Sequence, residues 1–226
     1  MRVLTWNLMH GRSVPGAGRD LFDEFAAALS SWEWDVALLQ EVPPWWPRAL
    51  AHSLDAEYRR ALTSRNELLA LRRVIATRWP DAIKSNGGGA NAILSRRDRI
   101  VAQHRHRLTW LPERRVAHGI ELACGIWVVN LHATAHNTAA AERDGQRAAL
   151  AASAWTSNGR PGVLGGDFNL RSPSFAGWRH VAGRDVDHIF VTDALEVVGE
   201  PEVLDRGVLS DHPPLAVTLR TAAGIS

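Results

Sequence analysis

Val163-Leu164-Gly165-Gly166-Asp167-Phe168-Asn169 is an apolar run that stops on an acid and an amide. Val163-Leu164 reads as a short buried strand with a glycine on either side. Side chains alternate along a strand, so Asp167 and Asn169 should share one side while Phe168 faces a core. Taken alone, Gly-Asp-x-Asn is usually a turn. What gives it weight is recurrence.

Other apolar runs end in residues that bind metals or phosphates. Val3-Leu4-Thr5-Trp6 ends at Asn7, Val36-Ala37-Leu38-Leu39 at Gln40-Glu41, and Ile126-Trp127-Val128-Val129 at Asn130-Leu131-His132. Two runs begin that way instead. Asp187-His188 precedes Ile189-Phe190-Val191, and Ser210-Asp211-His212 precedes the run 215–219. In a mixed sheet, strands running one way end where opposing strands start. All of these residues can therefore meet at a single rim.

Helical patterns lie between the runs. Asp20 can cap a helix in which Leu21, Phe22, Phe25, Ala26 and Leu29 form one face. A second helix is expected over 62–79, stopped by Pro80, and a third over 139–155 with Arg143, Gln146 and Arg147 on its polar side. The stretch 90–129 reads as strands alone. This mixture implies α/β or α+β with mixed sheets rather than a doubly wound fold. There is no internal repeat or low-complexity linker, and the turn clusters at 11–18 and 85–89 are short, so one domain over 1–226 is expected.

Composition narrows the setting. With 226 residues, 46% hydrophobic and 22% charged, the chain can bury a sizeable core. Net charge is only +2 although the pI is near 9.3, because the cations are nearly all arginine. That balance does not by itself call for nucleic acid or an anionic membrane. The single cysteine, Cys124, excludes an intramolecular disulfide and a cysteine-based zinc site; its apolar surroundings predict a buried thiol. No signal peptide or membrane-length apolar run is present, which points to the cytoplasm.

Together, Thr5-Trp6-Asn7, Leu39-Gln40-Glu41, Asn130-Leu131-His132, Gly166-Asp167-Phe168-Asn169, Asp187-His188-Ile189-Phe190-Val191 and Ser210-Asp211-His212-Pro213 resemble the motifs of the endonuclease/exonuclease/phosphatase superfamily, in that family's order. The resemblance implies a four-layer α/β-β/α sandwich of two mixed sheets flanked by helices. It implies Mg2+-dependent hydrolysis of a phosphate ester by direct attack of water, with Mn2+ as a substitute. The motifs do not name the substrate; the expectation is a phosphodiester of nuclease type, DNA or RNA, with an inositol phosphate or a sphingomyelin-like lipid as the alternative.

Roles follow from the same resemblance. Glu41 is the principal metal ligand, assisted by Asn7 and Asp211. His212 contacts the scissile phosphate, Asp187 orients it, Asp167 activates the water, and Asn169 donates to a phosphate oxygen. His132 is a candidate general acid for the leaving oxygen, and Arg115 a candidate substrate contact. The residue types suit the chemistry, since an anionic phosphorus centre needs a cation and hydrogen-bond donors before water can attack.

Substrate clues are fewer. The segment 96–115 holds seven arginines with His104 and His106 between them, either a phosphate-binding surface or the solvated basic face of a hairpin. Trp45, Trp46 and Trp178 either stack on a base or pack under loops. Arg184 stands three positions before Asp187, where the abasic-site endonucleases commonly carry an aromatic residue. Gly87-Gly88-Gly89 is read as a turn, since no Gly-Lys-Ser/Thr follows. Two rival readings fit less well. Ser210, Asp211 and His212 are too close in sequence for a serine-hydrolase triad, and a non-catalytic binding relative would have lost a metal or proton-transfer residue.

Overall fold

The computed structural model describes residues 1–63, 66, 68–79, 89–111 and 113–222. In chain order its elements are β1 (Arg2–Asn7), α1 (Phe22–Ser31), β2 (Val36–Val42), α2 (Trp46–Ser53), β3 (Glu57–Leu62), α3 (Leu69–Arg78) and β4 (Ala90–Ser95). Next come β5 (Ile100–Thr109), β6 (Arg115–Leu122), β7 (Trp127–His132), α4 (Thr138–Trp155), β8 (Gly162–Asp167), β9 (Arg179–Arg184) and β10 (Asp187–Val191). β11 (Leu195–Val197), β12 (Glu202–Val203) and β13 (Leu215–Thr221) complete the set.

These strands form two mixed sheets. One runs β11-β13-β1-β2-β4-β3, with β12 also on β13; the other runs β5-β6-β7-β8-β10-β9. β1 and β2 are parallel and β13 is antiparallel to β1, so Asn7 and Glu41 leave the sheet where β13 enters it. The second sheet repeats the device: β7 and β8 are parallel, β10 is antiparallel, and Asp187 is the direct register partner of Asp167. One rim thus collects strand ends from both sheets.

Strand alternation builds the layers. Val3, Val36, Leu38 and Ile93 pack against Ile120, Val128, Val163 and Ile189 between the sheets. Their chain neighbours Leu4, Ala37, Leu39 and Leu94 face the other way, onto Phe25, Leu29 and Leu50 of α1 and α2. On the far side Val129, Leu131, Leu164 and Phe190 meet Ala141, Ala148, Ala149 and Ala152 of α4. Continuous apolar strands are required because both faces of each sheet are covered. The result is the α/β-β/α sandwich.

Three expectations need correction. The helix expected over 62–79 begins only at Leu69, because 57–62 pairs with β4 as an edge strand and Leu62 lies opposite Ala90. Its expected stop, Pro80, and Gly87-Gly88 lie outside the described residues. Cys124 is exposed at the turn between β6 and β7, where its N–H donates to Asp98. Asn169 does not continue the alternation of β8: the strand ends at Asp167 and Asn169 has a left-handed backbone, φ 51°. The helix at 139–155 is observed as Thr138–Trp155, capped by the Asn137 side chain. Asp20 does accept from the first N–H of α1.

Candidate active site

Asp167 is the hub of the rim. It is buried, and its Oδ2 accepts from Asn7 Nδ2 at 3.0 Å and lies 3.6 Å from His132 Nε2 and 3.9 Å from His212 Nε2. Its Oδ1 accepts from the Asn169 backbone N–H at 2.9 Å, a tight turn that swings the Asn169 side chain onto the Ala133 carbonyl. His212 Nδ1 is 2.7 Å from Asp187 Oδ2, which sets the imidazole's orientation and turns Nε2 toward Asp167. Ser210 holds this loop, donating to the Asn7 carbonyl and accepting from the His212 N–H, while Trp6 Nε1 reaches the His212 carbonyl.

Glu41 enters from the first sheet. The pairing of β2 with β4 shifts between Leu39 and Val42, so an extra residue bulges there and Glu41 takes φ 50°. Bulges and left-handed backbone positions re-aim functional groups at some energetic cost. Here the carboxylate reaches 3.1 Å from His10 Nε2 and 3.7 Å from His132 Nε2. His132 therefore bridges Glu41 to Asp167, and Asp167 continues to His212, so residues from both sheets share one cleft.

Electrostatics divide the groups. Burial and then the neighbouring Asp187 raise Asp167 to about 7, against the pull of His212 and Asn7. For His212, burial works downward, but the Asp187 hydrogen bond and the charges of Asp187, Asp167 and Asp211 outweigh it and lift the imidazole to about 9. Burial, with the positive charges of Arg115, His10 and His212, holds His132 well below its ordinary value. This favours the neutral imidazole and does not suit the general-acid role expected of His132, leaving it a hydrogen-bond donor.

The remaining candidates are less central. Asp211 is exposed, with Oδ1 3.8 Å from His212 Nε2. Arg115 is buried and paired with Glu113 at 2.6 Å, yet close enough for its charge to act on His132. Asn130 joins the two sheets, accepting from Gln40 and donating to the carbonyls of Leu39 and Ala92. Trp46 packs into the core beside α1, and Trp178 is buried with Nε1 on Ser153, so neither is open to a base. Arg96 stacks on Trp34 and donates to three carbonyls, one of them at the end of α1.

Two residues escaped the sequence reading. His10 sits in a 3-10 turn over Met9–Gly11 with φ 54° and contacts Glu41. Asp144 is fully buried on α4 and accepts from Thr109 Oγ1, Thr134 Oγ1 and the Thr134 N–H, fixing the loop that follows His132. Its signal was a lone acid on the small-residue face of an alanine-rich helix.

The donor set fits a hard divalent cation. Glu41, Asp167, Asp187 and Asp211 supply carboxylate oxygens, and Asn7 an amide oxygen that accepts from the Met9 N–H at 2.9 Å, against one imidazole held protonated. Asp187 Oδ1 is buried without a hydrogen-bond partner among the described residues. Ligand atoms of Asp167, Asp187 and His212 converge within 4.8 Å, but a protonated His212 cannot ligate, so this trio offers a cation its two carboxylates only. Mg2+ prefers such oxygen ligands.

This two-sheet sandwich, with acids, amides and histidines at one rim, defines a phosphoester hydrolase. The model of the Endonuclease/Exonuclease/phosphatase family matches residues 4–212, and the chain belongs to that family, whose members are generally metal-dependent. Among solved structures, an endonuclease/exonuclease/phosphatase from Beutenbergia cavernae DSM 12333 matches 98% of this chain and 71% of its own, at 21% identity and TM-score 0.73. A mannosyl-6-phosphatase from Bacteroides thetaiotaomicron VPI-5482 matches 97% of this chain and 99% of its own, at 16% identity and TM-score 0.69. TDP2 from Caenorhabditis elegans matches 98% and 74%, at 15% identity and TM-score 0.70. At such identities these likenesses speak for the fold. No curated protein sequence matches the chain. Among the described residues no helix is long and apolar enough to cross a membrane.

Proposed function

We propose that this enzyme is a Mg2+-dependent phosphodiester hydrolase of the nuclease type that uses water as its nucleophile. The observation that carries the reading is Asp167 Oδ2, within 4 Å of an amide nitrogen and two imidazole nitrogens at the meeting point of both sheets. A carboxylate titrating near 7 is matched to taking a proton from water at neutral pH. His212, charged at that pH and oriented by Asp187, stabilises negative charge on the phosphoryl oxygens, and Asn169 donates to them from its turn. Neutral His132 donates a hydrogen bond toward the leaving oxygen, with Arg115 behind it. Glu41, Asn7 and Asp211 would hold the cation, which when bound supplies charge neutralisation and Lewis acidity at the phosphate.

A second reading has one observation in its favour. The mannosyl-6-phosphatase matches over 99% of its own length, so a chain of this size also suits small phosphomonoesters. One panel separates them: plasmid, single-stranded and abasic DNA, RNA, bis-p-nitrophenyl phosphate, inositol phosphates, sugar phosphates and sphingomyelin, each with Mg2+, Mn2+ or excess chelator. Diester cleavage that chelator abolishes is expected. Turnover of monoesters alone, or chelator-resistant cleavage, would replace the reading.

A further inference from the structure

A groove of about 500 Å³ is lined by Arg60, Arg105, Arg107, Trp110 and Arg114, with Leu62 at the end of β3 and Val116 at the start of β6, strand ends that lie on the rim's side of their sheets. It lies where the edge strands of the two sheets approach, β3 on one side and β5 on the other. Arg105 and Gln103 donate to the Arg60 carbonyl and tie the two edges together. Residues two apart on a strand share a face, so Arg105 and Arg107 project in register, roughly 7 Å apart. Among the described residues Arg60, Arg105 and Arg107 have no carboxylate partner, unlike Arg97 with Asp35 or Arg115 with Glu113. Arg107 lies over the Trp110 ring, 4.8 Å from its centroid, and that ring is 60% exposed.

Contacts connect the groove to the rim. Arg114 Nε donates to the Thr63 carbonyl, and the Thr63 N–H to the Gly89 carbonyl. A Cβ on Gly89 would stand 3.6 Å from His10, the imidazole that touches Glu41. Arg114 is also the chain neighbour of Arg115, whose charge acts on His132. These contacts, with the strand ends on the rim's side, place the guanidinium groups on the side from which a bound anionic strand would leave the rim.

We infer that this groove is a subsite for the continuing strand of a single-stranded nucleic acid, with its phosphates on Arg105 and Arg107 and an unpaired base against Trp110. The inference rests on the phosphodiesterase reading and narrows it. Charged edge strands also discourage edge-to-edge pairing, but that purpose requires neither a concave surface nor an exposed tryptophan. A basic groove with an exposed aromatic ring is what sequence-tolerant single-strand binding uses. A lipid surface would instead favour apolar side chains projecting from a convex face.

The test compares wild type with R105A/R107A and W110A, all checked for unchanged folding by circular dichroism and melting. Two substrates are used, a twelve-nucleotide single strand and bis-p-nitrophenyl phosphate, which is too small to span rim and groove. The ratio of kcat/KM for the oligonucleotide to that for the small ester should fall at least tenfold in each variant. For R105A/R107A the slope of log binding constant against log salt should shrink by about 1 to 1.5. An unchanged ratio would overturn the subsite while leaving the phosphodiesterase reading intact. If wild type cleaved no diester, that reading would fail, and fluorescence anisotropy of the labelled oligonucleotide would then decide the groove alone. Equal binding by wild type and variants would overturn it. So would binding to phosphatidylserine/phosphatidylcholine vesicles without binding to the oligonucleotide.

Discussion

His212 Nδ1 lies 2.7 Å from Asp187 Oδ2, and Asp187 is itself the register partner of Asp167 across β8 and β10. One hydrogen-bonded strand pair therefore positions both the imidazole and the carboxylate assigned to the water. Removing the ring should leave the fold in place and lower kcat roughly 100- to 10,000-fold in H212A. D187N keeps the shape but loses the charge that sustains the imidazolium, so kcat should fall by a smaller factor. Its pH–rate profile should move the His212 limb toward lower pH. Steady-state kinetics on any cleaved diester checks both; a folded H212A retaining most of its activity would remove His212 from the mechanism.

The same pair makes stability depend on pH. His212 is raised from 6.5 to about 9 on folding, so the folded state binds the proton more tightly. Its contribution is complete below pH 6.5 and is lost as pH rises through 9, amounting to roughly 3 kcal/mol. In chelator, the melting temperature should fall between pH 7 and pH 9, and D187N should flatten that fall. Added Mg2+ should raise the wild-type melting temperature, as a ligand of the folded state does. A wild-type melting temperature that rose over this interval in chelator would contradict the assignment.

Much of the rim was legible because metal- and phosphate-binding residue types recur at strand ends, and parallel and antiparallel neighbours bring such ends together. Asn7, His132, Asp167 and Asp187 could be placed from strand boundaries alone. Backbone-directed positions were not legible. Asn169 was assigned to a strand face, yet its placement comes from φ 51° and the Asp167 turn. His10 also takes a positive φ, a choice that local propensity disfavours and the surrounding structure imposes. β3 was not among the expected strands, and its last residue, Leu62, was placed in the helix expected over 62–79, because the pairing of β3 with β4 is a long-range contact that no local period announces.

Glu41 illustrates the trade between function and backbone strain. A non-glycine residue in the left-handed region costs about 1–2 kcal/mol, and here it carries the principal proposed metal ligand. E41G should therefore melt no lower than wild type in chelator, and about 2–4 °C higher if 1 kcal/mol of strain is released. It should also lose the Mg2+-dependent rise in melting temperature and nearly all turnover. E41Q, which keeps the backbone strain, should lose the same Mg2+ response with no gain in stability. Paired thermal scans with and without Mg2+ distinguish the two variants. A full Mg2+ response in both would move the cation away from Glu41.

Gly166 is the position where a single methyl group should do most harm. It has φ 140°, and a Cβ there would lie 2.0 Å from the Leu131 carbonyl oxygen of the adjoining parallel strand. The obstacle is backbone, so no side-chain rotation relieves it. The two strands must separate, and they carry His132 and Asp167, partners in the same register. G166A combines this overlap with a strained backbone, each a recognised source of large destabilisation, and should cost about 3 kcal/mol or more. For a chain of this size that is a drop of roughly 6–12 °C in melting temperature. Activity per folded molecule should fall as well, because the 3.6 Å approach of His132 to Asp167 depends on that strand spacing. Thermal melting together with kcat measured well below the variant's transition tests both parts. A G166A protein as stable and as active as wild type would mean that β7 and β8 do not lie this close.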